Sequence, residues 1–289
     1  MSAEFARRIT WAIIGASAMI DAGLIVVGTD TGIGKTRVAA ALLVALRARR
    51  FDVVPMKPIQ TGAERGRAPD LDFCLQAANL PCDAALYDRL APYRFALPAS
   101  PHLAAREAGA TIEAQRIWDA WTALRDAGHG VIVEAAGGVL VPLSDSLLQM
   151  DLLLGFDLPF LLVARPDLGT LNHTLLTLEA LRNRNAQIGG IVLNATRADS
   201  GLIEEDNART LAARNPDVPL HRFPFMPDPT RAALEKAGAD LLASAGLPMI
   251  GNQSRADFQR LENLRVKVPR VGSMVRGNFQ ALEIWGDFR

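Results

Sequence analysis

The stretch GTDTGIGKT, Gly28 to Thr36, stands between an apolar run and a helix-forming run, and it limits the fold more than any other part of the 289-residue chain. A glycine-rich turn that leads straight from a strand into a helix leaves the first N–H groups of that helix without partners, which makes an anion site. The backbone N–H groups of Gly32, Ile33 and Gly34 would face nucleotide phosphates, Lys35 would neutralise their β and γ oxygens, and the Thr36 hydroxyl is placed for Mg²⁺. The loop departs from the usual spelling G-x-x-x-x-G-K-[ST], which puts glycine where Thr29 stands, and it carries an acid, Asp30.

Such a loop belongs to a parallel sheet with crossover helices, and the rest of the chain repeats that alternation. Short apolar runs predict strands over 24–29, 52–57, 131–136, 159–164, 189–194 and 219–224. Several are apolar nearly throughout, as strands buried on both faces must be. Helices are expected over 35–49, 70–79, 111–127, 146–156, 170–186, 202–214 and 230–245. The fold class is α/β, a doubly wound, mainly parallel sheet with helices on both faces, of the P-loop NTPase type.

Open sheets of this kind bind ligands at the carboxyl ends of their strands. Two charged residues stand at such ends: Lys57 in KPIQTG (57–62) and Glu134 in VEAAGG (133–138). A glutamate closing an apolar strand is costly to bury without a cation. Mg²⁺ held with Thr36 would supply one, and an internal ion pair with Lys57 would supply another. Asp70, in APDLDF (68–73), opens a helix, where it serves equally as an N-cap, and Asp72 competes with it for any ligand role.

Together the ordered motifs GTDTGIGKT, KPIQTG, VEAAGGVLVPLSD, LGTLNHTLLTLEAL and VLN, spread over residues 23–230, resemble the dethiobiotin synthetases. That resemblance implies a homodimer that uses ATP, Mg²⁺ and CO2 to close the ureido ring of dethiobiotin on 7,8-diaminononanoate. It implies that Thr31 lies beside the transferring phosphoryl group, with Lys35 and Lys57 sharing the catalysis, and that Asp30 points away from the phosphates into loop or dimer hydrogen bonds. Lys57 matches the lysine that stabilises the carbamate, with the Thr61 hydroxyl beside it. Gly32 to Arg37, Asp70, Glu134, Ala135, Ala136 and Gly137 match ATP contacts, and Thr36, Asp70 and Glu134 the metal site. Asn194 matches the asparagine that reads adenine, and Pro224 falls in the second adenine-side loop. Leu171 and Asn172, in GTLNH (169–173), match the helix start that receives the substrate carboxylate across the interface. The family usually has glycine at Ala135, which would put a methyl beside the phosphates.

Two other classes share the loop. A cobyrinate-type synthetase would need a glutaminase domain with a nucleophilic cysteine; the stretch after residue 230 is too short for one, and neither Cys74 nor Cys82 lies in a nucleophile elbow. A partitioning-type switch ATPase would carry an extra lysine early in the loop, where this chain has TDTG.

Thirty-one basic and thirty-one acidic residues cancel, so bulk charge recruits neither nucleic acid nor an anionic membrane, and the partners are small molecules. Two cysteines are too few for a disulfide framework and fit a reduced cytoplasm. Residues 1–22 hold Arg7, Arg8 and a short apolar run that resembles parts of a secretory signal; the run is too short to span a membrane and reads as an appendage, with Met19 a candidate start. Residues 23–247 form the expected synthetase domain, and the basic, irregular 248–289 a second appendage. His102 and His173 fall within family-like motifs, and all four histidines read as structural, as do the four tryptophans.

Overall fold

Continuous apolar runs make the centre of the molecule. The computed structural model describes residues 23–198 and 201–244; both expected appendages, 1–22 and 248–289, lie outside the described residues. In chain order the elements are β1 (Gly23–Gly28), α1 (Lys35–Ala48), β2 (Val53–Met56), β3 (Ile59–Thr61), α2 (Pro69–Ala78), α3 (Ala84–Leu90), β4 (Tyr93–Phe95), α4 (Pro101–Glu107), α5 (Ala114–Asp126), β5 (Gly130–Gly138), α6 (Gln149–Leu154), β6 (Phe160–Ala164), α7 (Thr170–Arg182), β7 (Ile188–Asn194), α8 (Leu202–Arg214), β8 (Leu220–Phe223) and α9 (Arg231–Ser244).

The main sheet runs β2-β5-β1-β6-β7-β8, every pair parallel. Successive strand residues point to opposite faces, and β1 shows it: Ile25 and Val27 enter one apolar cluster and Val26 the other. Side chains of α1 and α9 fill the face under Val26, while α5, α6, α7 and α8 cover the face under Ile25. The architecture is the expected doubly wound sheet. No helix among the described residues is long and apolar enough to cross a membrane.

All six expected strands form, with ends moved by a residue or two. Helices expected over 111–127, 146–156 and 170–186 are shorter, at Ala114–Asp126, Gln149–Leu154 and Thr170–Arg182. Sequence reading missed α3, α4 and the small parallel sheet of β3 and β4. Elements of three to seven residues complete too few periods for the apolar pattern to reveal them. They matter, because β3 and the start of α4 wall one side of the site.

Candidate active site

β1 is flanked by β5 on one side and β6 on the other, so the chain switches sides of the sheet next to it. The carboxyl end of β1 is therefore the crevice at which a ligand binds. A cleft of about 560 Å³ lies there, lined by Thr31, Gly32, Gly34, Lys35 and Thr36 of the loop, by Lys57, Thr61 and Asp70, and by Glu134, Ala136 and Gly137.

The loop's shape follows from its glycines. Gly34, the N-cap of α1, has φ 90° and offers no side-chain cap, so the first N–H groups of α1 stay available. From behind, Asn194 at the end of β7 donates its amide to the Ile33 carbonyl at 2.8 Å and is only 5% exposed. A Cβ on Gly34 would lie 2.1 Å from that amide nitrogen. Gly34→Ala is therefore expected to lose about 1–3 kcal/mol of stability and ATP affinity with it. Thermal melts and calorimetry check this; wild-type ATP affinity in the variant would show that the loop does not depend on the close approach.

Lys35 folds over the loop and donates to the Asp30 carbonyl at 2.7 Å. Burial, then the neighbouring charge of Lys57, lowers its pKa to about 8. The acid in the loop has partners of its own. One Asp30 oxygen accepts from the Thr31 N–H at 2.7 Å, and the other pairs with Arg165 at 2.5 Å, beyond the end of β6. The carboxylate thus shapes the loop.

Below the loop three charges meet. The Lys57 ammonium, 4% exposed, is 2.7 Å from Asp70 and 2.8 Å from Glu134, and Thr36 donates its hydroxyl to the same Glu134 oxygen at 2.8 Å. Burial works against the charge of Lys57, but the two carboxylates outweigh it and hold its pKa above the ordinary lysine value. Burial likewise opposes the ionised form of Asp70, and Lys57, helped by hydrogen bonds from Gln60 and Thr36, more than reverses it, leaving the carboxyl below its usual range. Asp72 is elsewhere: it accepts from Arg67 and from the Tyr87 hydroxyl. The structure thus brings Asp70 to the cleft and ties Asp72 to the connection before α2.

One expectation is corrected. Ala135 does not put a methyl beside the phosphates: strand alternation sends its side chain into the cluster of Val131 and Val133, on the face opposite Glu134. What Ala135 presents to the site is its carbonyl, 3.5 Å from the Lys57 ammonium.

Other expected site residues lie around the rim. Arg37 donates to the Pro227 carbonyl at 3.2 Å, tying α1 to the connection after β8 that carries exposed Pro224. Half-buried Leu171 and exposed Asn172 sit at the start of α7, whose N-cap Gly169 has no side-chain cap; neither residue lines the cleft. Sequence reading missed Gln60, which accepts from the Asp70 N–H at 3.4 Å, and the wall formed by Pro98 to Pro101. It also missed Gln149, 2% exposed, which holds the backbone after Glu134. In the segment PASPH (98–102) only the histidine carries a recognisable chemical signal, and no motif marks Gln149.

Cys74 packs behind the site, its thiol 3.9 Å from the Thr36 carbonyl, and burial pushes its pKa well up; burial and Asp83 also raise that of Cys82. Neither thiol is an activated nucleophile.

A family model described as an AAA domain matches residues 22–235. An ATP-dependent dethiobiotin synthetase from Anaeromyxobacter dehalogenans (strain 2CP-C) is 42% identical over 211 residues, covering 73% of this chain and 93% of that protein. Another from Bacillus velezensis is 36% identical over 182 residues, covering 63% and 77%. Among solved structures, a ParA family ATPase from Chlorobium tepidum TLS aligns with a TM-score of 0.44 at 15% identity, over 78% of this chain and 95% of that one, too distant to carry functional weight. On the sequence matches, the chain belongs to the family of the ATP-dependent dethiobiotin synthetases, which are ligases.

Proposed function

We propose that this protein closes the ureido ring of dethiobiotin from 7,8-diaminononanoate and CO2 at the expense of ATP, in the cytoplasm and as a homodimer. The chemistry is assigned to residues 23–247, outside the two appendages. The observation that carries the reading is the buried Lys57 ammonium between Asp70 and Glu134, on the floor of a phosphate-loop cleft. A nucleotide switch has no need of a second buried lysine there, whereas a carbamate requires a compact cation to stabilise it.

In the reaction, one amine of the substrate adds to CO2 and loses a proton, giving a carbamate. A carbamate oxygen attacks the γ-phosphorus and ADP leaves, which forms a mixed carbamic–phosphoric anhydride. The second amine then attacks the carbamoyl carbon, the ring closes and phosphate departs. No side-chain nucleophile takes part, since phosphoryl transfer is served by positioning and by charge spread over the moving oxygens.

The loop N–H groups of Gly32, Ile33 and Gly34 with Lys35 would hold the phosphates, and Thr31 would stand at the transferring group. Lys57 would face the carbamate with the Thr61 hydroxyl near it, and the free N–H groups at Leu171 and Asn172 would receive the substrate carboxylate from across the dimer interface. Asn194 and the connection carrying Pro224 are assigned to adenine. Thr36, Asp70 and Glu134 are all hard oxygen donors, few enough to leave room for water and phosphate, which suits Mg²⁺. These three residues would hold the ion, whose charge would add to that of the two lysines.

ATP-dependent transfer of labelled bicarbonate into a ring product that forms only with 7,8-diaminononanoate tests the assignment; ADP formation indifferent to the diamine would contradict it. The Lys35 pKa supplies a further test. With its pKa near 8 in the free protein, the ammonium loses its proton as pH rises past that value, and bound phosphate draws the proton back. ATP binding is therefore expected to take up nearly one proton at about pH 9 and little at about pH 7, with apparent affinity falling above pH 8. Calorimetry in buffers of different ionisation heat measures the uptake; none at the higher pH would contradict the assigned contact.

A further inference from the structure

Residues 135–137 of β5 run past the regular ladder. Pairing with β2 stops at Val133, and pairing with β1 skips from Glu134 to Gly138. Ala136 and Gly137 border the cleft, and a Cβ on Gly137, whose φ is 70°, would lie 3.3 Å from the Thr31 hydroxyl. The backbone nearest the phosphoryl-transfer position thus lacks regular ladder pairing.

One side chain takes that pairing's place. The Gln149 carbonyl accepts from the Ala136 N–H at 2.8 Å, and its amide donates to the carbonyls of Ala136 at 2.9 Å and Gly138 at 2.7 Å. Engaging both the N–H and the C=O of one residue is what an adjacent strand does. The carboxamide uses both of its donors and one of its two acceptor sites. Its own backbone is fixed as well, with Gln149 N–H on the Val141 carbonyl at 2.8 Å and Met150 N–H on Val139 at 2.9 Å.

We propose that Gln149 is a positioning residue for phosphoryl transfer, holding the Ala136–Gly138 backbone at its set distance from Thr31. The Ala136 N–H is committed to Gln149 and is therefore not offered to the transferring group. The proposal rests on the synthetase reading for the identity of that group.

The test uses the full chain with Gln149→Met, which keeps volume and removes all three bonds, and Gln149→Glu. Three quantities are read: ring-closure kcat, ATP affinity, and the phosphorus resonances of bound ATP. Gln149→Met is expected to lower kcat about a hundredfold, the cost of a misplacement near 1 Å, with ATP affinity within about threefold. The γ-phosphorus resonance should move and the α resonance should not. In Gln149→Glu the introduced carboxyl can accept from Ala136 and donate to one carbonyl only while protonated. Its kcat should approach wild type at low pH and fall as pH rises, a profile absent from the wild type; that profile decides the matter if the Met variant does not fold. Unchanged kcat and γ resonance in a folded Gln149→Met, or equal losses of kcat and ATP affinity, would overturn the proposal. If the wild type makes no ring product, the proposed function fails, while the γ resonance still decides the role of Gln149.

Discussion

Lys57→Ala is expected to slow ring closure about a hundredfold or more, on the order of 3 kcal/mol, the scale seen when one preorganised charge-stabilising group is deleted. ATP binding should stay largely intact, because the loop amides and Lys35 hold the phosphates. Lys57→Arg should also be poor, since a planar fork does not replace a compact ammonium wedged between two carboxylates. Stability will fall too. Removing Lys57 leaves Glu134, which is 4% exposed, and Asp70 without their cation, and breaking a buried pair in this way costs roughly 3–5 kcal/mol.

The pH dependence of that loss has a definite sign. In the wild type the Asp70 pKa is lowered by Lys57, so the pair contributes stability above the ordinary carboxylate pKa and loses it as pH falls through the lowered one. The deficit of Lys57→Ala should accordingly be full at neutral pH and shrink on acidification, as the orphaned Asp70 carboxylate takes up a proton. Rates must be compared below the melting temperature of the variant, with ATP affinity measured on the same preparation. Loss of ATP affinity with an unchanged rate at saturating ATP would move Lys57 from the carbamate to the phosphates.

Glu134→Gln carries the second large effect. The amide oxygen can still accept from Thr36 and Lys57, so the fold should survive, but one ligand charge for Mg²⁺ is gone. Most metal-dependent turnover should disappear, by about a hundredfold, and no excess of Mg²⁺ should restore it fully. A variant with wild-type rate and wild-type Mg²⁺ dependence would leave Glu134 as the ion-pair partner of Lys57 alone.

Much of this site could be read from the residues because its parts sit at strand ends. Gly28, Lys57, Glu134 and Asn194 each close or follow an apolar run, and the sheet brings such ends to one edge. The choice between Asp70 and Asp72 could not be read. Both lie in the first turn of α2, and residues two apart on a helix do not share a face. Only one can therefore reach the cleft, and the deciding partners, Lys57 for one and Arg67 with Tyr87 for the other, depend on how the preceding connection folds.

The orientation of Ala135 was available from strand alternation once Glu134 was placed in the site, since neighbours on a strand face opposite ways. Gln149 was not. It acts from the first residue of α6 on a bulge in β5, and the break in the ladder that gives it a role leaves no periodic trace.

The most direct test of a phosphorylated carbamate is a single turnover with oxygen-18 bicarbonate, 7,8-diaminononanoate and ATP, followed by mass analysis of the phosphate. The carbamate oxygen that attacks phosphorus leaves with it when the ring closes, so one labelled oxygen should appear in phosphate for each ring formed. Phosphate whose new oxygen comes only from water, released whether or not the diamine is present, would mean that the site hydrolyses ATP as a switch and would contradict the synthetase account.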